Sequence, residues 1–142
     1  MQVENILQSK GSAVHTVTAG APLSEAVKLL NAHKIGAVVV VDAKGEVAGI
    51  LSERDIVRRL GDNPAQLLAS PVRTAMTAKV ITATRAHSVS DLMELMTRHR
   101  IRHIPVVEGT TLVGIVSIGD VVKRKIEETE QEALALREYI AS

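Results

Sequence analysis

"GILSERD" at residues 49–55 and "GIVSIGD" at residues 114–120 are one phrase written twice. In each copy an apolar run leads to a Ser followed three positions on by an Asp, the pattern of a capping box that opens a helix directly after a strand. Capping alone accounts for Ser52 with Asp55 and for Ser117 with Asp120. The same arrangement also gathers a hydroxyl, free backbone N–H groups and a carboxylate in one small space, as a phosphate or nucleotide site requires.

Working outward from the phrase, nearly everything before Leu60 has a counterpart after Val72. Residues 3–7 (VENIL) match 72–76 (VRTAM) as a short apolar-faced turn, and residues 14–18 (VHTVT) match 80–84 (VITAT) as alternating short strands. Residues 23–34 and 89–100 are helical: Leu23, Ala26, Val27 and Leu30 repeat as Val89, Leu92, Met93 and Met96. An apolar strand follows each helix, then a turn (AKGE or GTT) and a second strand, with Gly45 suited to a left-handed turn position. Each half therefore reads β-α-β-β-α, giving an α/β (α+β) chain. The expected divisions are residues 1–69 for the first repeat, 70–126 for the second and 127–142 for a carboxyl-terminal helix extension. Residues 61–70 are expected to be a short ordered linker, with Ser70 as N-cap and Pro71 as first helical position of the turn that opens the second repeat.

Composition narrows the function classes. The chain has 142 residues, 46% of them apolar, yet Tyr139 is its one aromatic residue, so the core must be built from Val, Ile, Leu, Met and Ala. Seventeen basic and sixteen acidic side chains leave a formal charge of +1, so no global field points to nucleic acid or to acidic membranes. The absence of Cys removes thiolate metal sites and Cys nucleophiles and fits a reducing cytoplasm. The start of the chain lacks a secretory pattern, and the longest purely apolar run, residues 37–41, is far too short to span a bilayer. His99 and His103 are poor metal ligands because flanking arginines repel a cation. The basic cluster at residues 98–103 has no aromatic partner for base stacking, which argues against nucleic acid.

The doubled pattern, the "RHIPVV" at residues 102–107 and the paired G-h-h-S-x-x-D phrases together resemble a tandem CBS-domain protein, a CBS pair or Bateman module, standing alone. The resemblance implies two repeats related by a pseudo-twofold axis and two clefts between them for adenine-containing ligands. AMP is the foremost candidate, with ADP, ATP, NAD(H) and S-adenosylmethionine also in the class. It implies a regulatory, non-enzymatic role without a catalytic cofactor, a homodimer, and a regulated partner protein. Asp55 and Asp120 are then expected at ribose hydroxyls, with Ser52 and Ser117 near phosphate. The base is expected against Val14, His15, Gly36 and Ala37 in one half and against Val80, Ile81, Arg102 and His103 in the other. A single cleft is expected to combine the strands of one repeat with the Asp of the other. The competing reading is a ligand-free structural or interaction module with vestigial clefts.

A carboxylate suits a ribose because its two oxygens accept charge-assisted hydrogen bonds from adjacent hydroxyls. A helix N-terminus adds only about 0.3–1 kcal/mol toward a phosphate, so cations are needed nearby. Arg54 stands where the second copy has Gly119, and Arg102 and His103 stand where the first has Gly36 and Ala37. Two unequal clefts are therefore expected: a basic one with Arg54, Arg102 and His103, and a less charged one with Gly36, Ala37 and Gly119. At the carboxyl end, Val122, Ile126, Thr129, Ala133, Leu136 and Ile140 fall at alternating spacings of four and three, a coiled-coil-like seam expected to lie on the body or on a second subunit.

Overall fold

The computed structural model describes every residue of the chain except Asp62, which falls in the expected linker and lies outside the described residues. In the first half, α1 (Val3–Lys10) precedes β1 (Thr16–Thr18), α2 (Leu23–His33), β2 (Ala37–Val41), β3 (Val47–Ser52), α3 (Glu53–Arg59) and α4 (Pro64–Ala69). A 3-10 turn, Val72–Thr74, then leads to α5 (Val89–His99), β4 (His103–Glu108), β5 (Thr111–Ser117) and α6 (Ile118–Ala141). The first sheet has the order β1-β2-β3, parallel then antiparallel, and the second pairs β4 with β5 antiparallel.

Local chemistry repeats from half to half. Each hairpin has a register shift at the same place, between Val40 and Val41 and between Val106 and Val107. Each turns on a left-handed glycine, Gly45 (φ 79) or Gly109 (φ 60). The helices α2 and α5 both end on a left-handed residue that is not glycine, Lys34 (φ 52) and Arg100 (φ 54), a conformation that costs about 1–2 kcal/mol.

The two cores interlock. Val3, Ile6 and Leu7 of α1 are buried with Leu92, Met96, Ile104 and Val116 of the second repeat. Val72 and Ala75 are buried with Leu23, Leu30, Val38 and Leu51 of the first. Backbone bonds hold both segments in the same way: Val3 N–H donates to His87 O (2.9 Å), as Val72 N–H donates to Ala21 O (2.8 Å). The glycines that begin the repeated phrase make this possible. A Cβ on Gly114 would sit 2.6 Å from Leu7 Cδ2, and one on Gly49 would sit 2.9 Å from the Thr77 carbonyl oxygen and 2.7 Å from Met76 Sδ.

Two expectations are corrected and a third is narrowed. Residues 80–84 do not form a strand: Ala83 alone bridges to Val106. The cause is Pro105, which stands where β2 has Val39; Val39 N–H donates to His15 O at 3.4 Å, and Pro105 has no N–H to give Ile81. The linker contains a helix, α4, whose Asn63 side chain accepts from Gln66 N–H. Ser70 closes that helix, its hydroxyl donating to Gln66 O at 2.7 Å, and does not cap the next turn. Of the two places expected for the carboxyl-terminal seam, the body is excluded beyond Glu128: Val121 is buried, but every residue from Thr129 onward is exposed.

Candidate functional site

Both copies of the opening phrase are complete capping boxes. At the start of α6, the Asp120 carboxylate Oδ2 accepts from Ser117 N–H (2.9 Å) and from the Ser117 hydroxyl (3.0 Å), while Asp120 N–H donates to Ser117 Oγ (3.3 Å). At the start of α3 the same contacts between Ser52 and Asp55 measure 2.9, 3.1 and 3.3 Å. A third box, Ser88 with Asp91 at the start of α5, escaped the sequence reading although its spacing is the same. In both phrases the bonds fall on Oδ2, so Oδ1 is the oxygen left to accept from a ligand.

The strands of one repeat meet the phrase of the other. A cleft of about 350 Å³ is lined by Val14, His15, Gly36 and Ala37 of the first half and by His103, Ile115 and Ser117 of the second. Lys10, at the end of α1, completes it: its ammonium donates to Asp120 Oδ2 at 2.7 Å and to Ile115 O at 3.0 Å. Lys34, held left-handed at the end of α2, lines the same cleft. His15 forms one wall, its ring stacked on His33 with centroids 3.6 Å apart. A second cavity of about 430 Å³ lies beside the first, shares Val14 with it and runs past Thr16 to both hairpin turns at Lys44 and Thr110.

His103 and Gly36 fit one another. A Cβ on residue 36 would come within 3.1 Å of the His103 ring, so the glycine leaves the imidazole its place between the repeats. Burial lowers the His103 pKa below its ordinary value; the Glu53 and Asp120 carboxylates oppose this, and the Lys10 and Arg102 charges reinforce it. Burial acts to raise the Asp120 pKa, but the Lys10 hydrogen bond, the Ser117 backbone and hydroxyl bonds and the Lys10 charge outweigh it and hold the carboxyl below its usual range.

The residues expected in two separate clefts meet in this one, since His103 lines it together with Gly36 and Ala37. The side with Gly36 and Ala37, expected to be the less charged one, carries the ammonium groups of Lys10 and Lys34, with the His15 and His103 rings beside them. Arg54 and Arg102 are exposed, and with Ser52, Asp55, Val80, Ile81 and Asp120 they line neither cavity; Asp120 reaches the cleft only through its bonds to Lys10 and Ser117. Lys79, which corresponds to Lys10 in the sequence repeat, lies beyond the 3-10 turn, on no helix. Sequence reasoning missed Lys10 and Lys34 because each serves the site only through a tertiary crossing or an unusual helix end.

Among the described residues no helix is long and apolar enough to cross a membrane, and no group of His, Asp and Glu is placed to hold a metal ion. The family model described as "CBS domain" matches the chain twice, at residues 6–62 and 72–127. The CBS domain-containing protein CBSX3, mitochondrial, of Arabidopsis thaliana is 36% identical over 97% of this chain and 71% of that protein. The crystal structure of a CBS-domain-containing protein from Agrobacterium tumefaciens is 46% identical, with a TM-score of 0.83 over 87% of this chain and 92% of that one. The CBS domain pair of protein MJ0100, solved with 5'-methylthioadenosine and S-adenosyl-L-methionine, is 28% identical, with a TM-score of 0.80 over 90% of this chain and 98% of that one.

Proposed function

The chain belongs to the CBS-domain family, and on that premise we propose that it is a regulatory module whose cleft between the repeats, beside Ser117, binds an adenine nucleotide, AMP foremost. The observation that carries this reading is the convergence of Lys10, Lys34, His15 and His103 on the cavity that also holds Ser117. Aliphatic strand edges at Val14 and Ala37 suit a base, Asp120 Oδ1 suits a ribose hydroxyl, and two ammonium groups suit a phosphate. The adenosine-type ligands of the MJ0100 pair support the class. The basic lining here favours a phosphorylated member over S-adenosylmethionine, whose sulfonium is itself cationic. Such a ligand acts on a partner protein only by binding two conformations unequally. The proposal extends to a homodimer acting in the cytoplasm, without catalysis.

The test is a thermal-shift and calorimetric panel of adenosine, AMP, ATP, NADH and S-adenosylmethionine. AMP is expected to stabilise the protein and adenosine to do so less. With one Tyr and no Trp, a co-purified nucleotide would also dominate the ultraviolet spectrum. Absence of any shift across the panel would falsify the nucleotide reading and leave a structural module.

A further inference from the structure

The seam of α6 is unpartnered in the protomer. Val122 is 42% exposed, Ile126 53%, Leu136 58% and Ile140 74%. The opposite side of the helix holds the body: Val121 is buried, and the Arg124 guanidinium donates to Asn5 O of α1 at 3.4 Å. From Thr129 to Ala141 the helix touches too little to bury any residue, and an isolated helix of that length is marginal in water.

Charge decides what covers it. With Ile126, Ala133 and Ile140 as a positions and Val122, Thr129 and Leu136 as d positions, the g positions include Lys125 and Glu132 and the e positions include Glu130 and Arg137. In a parallel pair each g faces the e five residues further along the other helix. Lys125 then meets Glu130 of the second copy, and Glu132 meets Arg137 of the second copy. An antiparallel pair centred between Thr129 and Ala133 would instead set Glu130 on Glu130 and Glu132 on Glu132. Among the described residues Glu130, Glu132 and Arg137 make no ion pair within the protomer, while Lys125 reaches only Glu128, at 4.0 Å.

We infer that a second copy of this chain covers the seam, as a parallel, in-register coiled coil of the two α6 helices fixed by Lys125–Glu130 and Glu132–Arg137 pairs between copies. Thr129 and Ala133 make its two middle layers weak, but the first half of each helix is already ordered against α1 and α5. The inference rests on the homodimer reading and adds the surface that makes it. It is independent of what the cleft binds.

The chain is free of cysteine, so single-cysteine reporters are clean. Thr129→Cys and Leu136→Cys are each expected to oxidise to a covalent dimer and Gln131→Cys, at an outward position, to stay unlinked. Ile126→Asp with Leu136→Asp is expected to give a folded monomer by light scattering and circular dichroism. Lys125→Glu should weaken the dimer roughly tenfold, with Lys125→Glu/Glu130→Lys restoring it. A wild-type chain that is monomeric at micromolar concentration overturns both the seam and the homodimer. A dimer that survives the Asp substitutions and yields no linkage at residues 129 and 136 overturns the seam alone and places the dimer on another face.

Discussion

The Lys10 ammonium lies 2.7 Å from the Asp120 carboxylate, although the two residues sit 110 positions apart in the chain. The amino-terminal helix of one half thus neutralises the acid that opens the last helix of the other. A ligand phosphate entering the cleft would compete with Asp120 for the same ammonium.

Lys10→Met is accordingly expected to weaken AMP about tenfold or more while changing adenosine little, since one charge-assisted bond to phosphate is lost. Isothermal titration with both ligands measures the split. Equal losses for adenosine and AMP would show that Lys10 shapes the cleft and does not contact phosphate.

The depressed Asp120 pKa carries a stability consequence. A carboxyl held below its unfolded value stabilises the native state above about pH 4 and loses that contribution as pH falls through the native value. Melting temperature followed from pH 5 downward should fall less steeply in Lys10→Met than in the unmodified chain. Identical slopes would mean that the pair is not formed in solution.

His103 acts over a different window. Because its folded pKa is lowered, its contribution is complete above about pH 6.5 and is lost as pH falls below that value. His103→Gln should flatten the stability profile there. A bound phosphate favours the charged imidazole, so AMP affinity is expected to rise as pH drops from about 7.5 to 6, with proton uptake detectable by calorimetry in buffers of different ionisation enthalpy.

The two phrase-opening glycines should differ in tolerance. Gly49→Ala meets the Thr77 carbonyl, which is backbone, whereas Gly114→Ala meets the end of the Leu7 side chain. Overpacking costs about 1–3 kcal/mol, and Gly49→Ala should lie at the upper end of that range in urea denaturation. The reverse order would show that Leu7 is the more rigid neighbour.

The repeated phrase made most of this architecture readable, because period-four and period-two patterns agree in both halves. Helices α2 and α5 begin at Leu23 and Val89, as their apolar spacing requires. What was not readable depends mostly on partners distant in sequence. Residues 82–84 are left with a single bridge, where β1 has a strand, because Pro105 across the sheet has no N–H to donate. Helix α4 is the exception: Asn63 and Pro64 spell its start locally, but six residues between two repeats carry too little periodicity to separate a helix from a connection. The cation at the mouth of the cleft was not readable because Lys10 belongs by sequence to the first half, while the helix that carries it packs on the second.

That crossing has a consequence for how such a chain can be divided. Residues 1–69 carry α1, which plugs the other repeat, and lack Val72 and Ala75, which plug their own. A half cut at the sequence boundary is left with the wrong stopper, and supplying residues 70–76 as a separate peptide should be what lets it close. The heritable, foldable unit is therefore the pair, and the covalent fusion of two repeats keeps each plug at the concentration its neighbour needs.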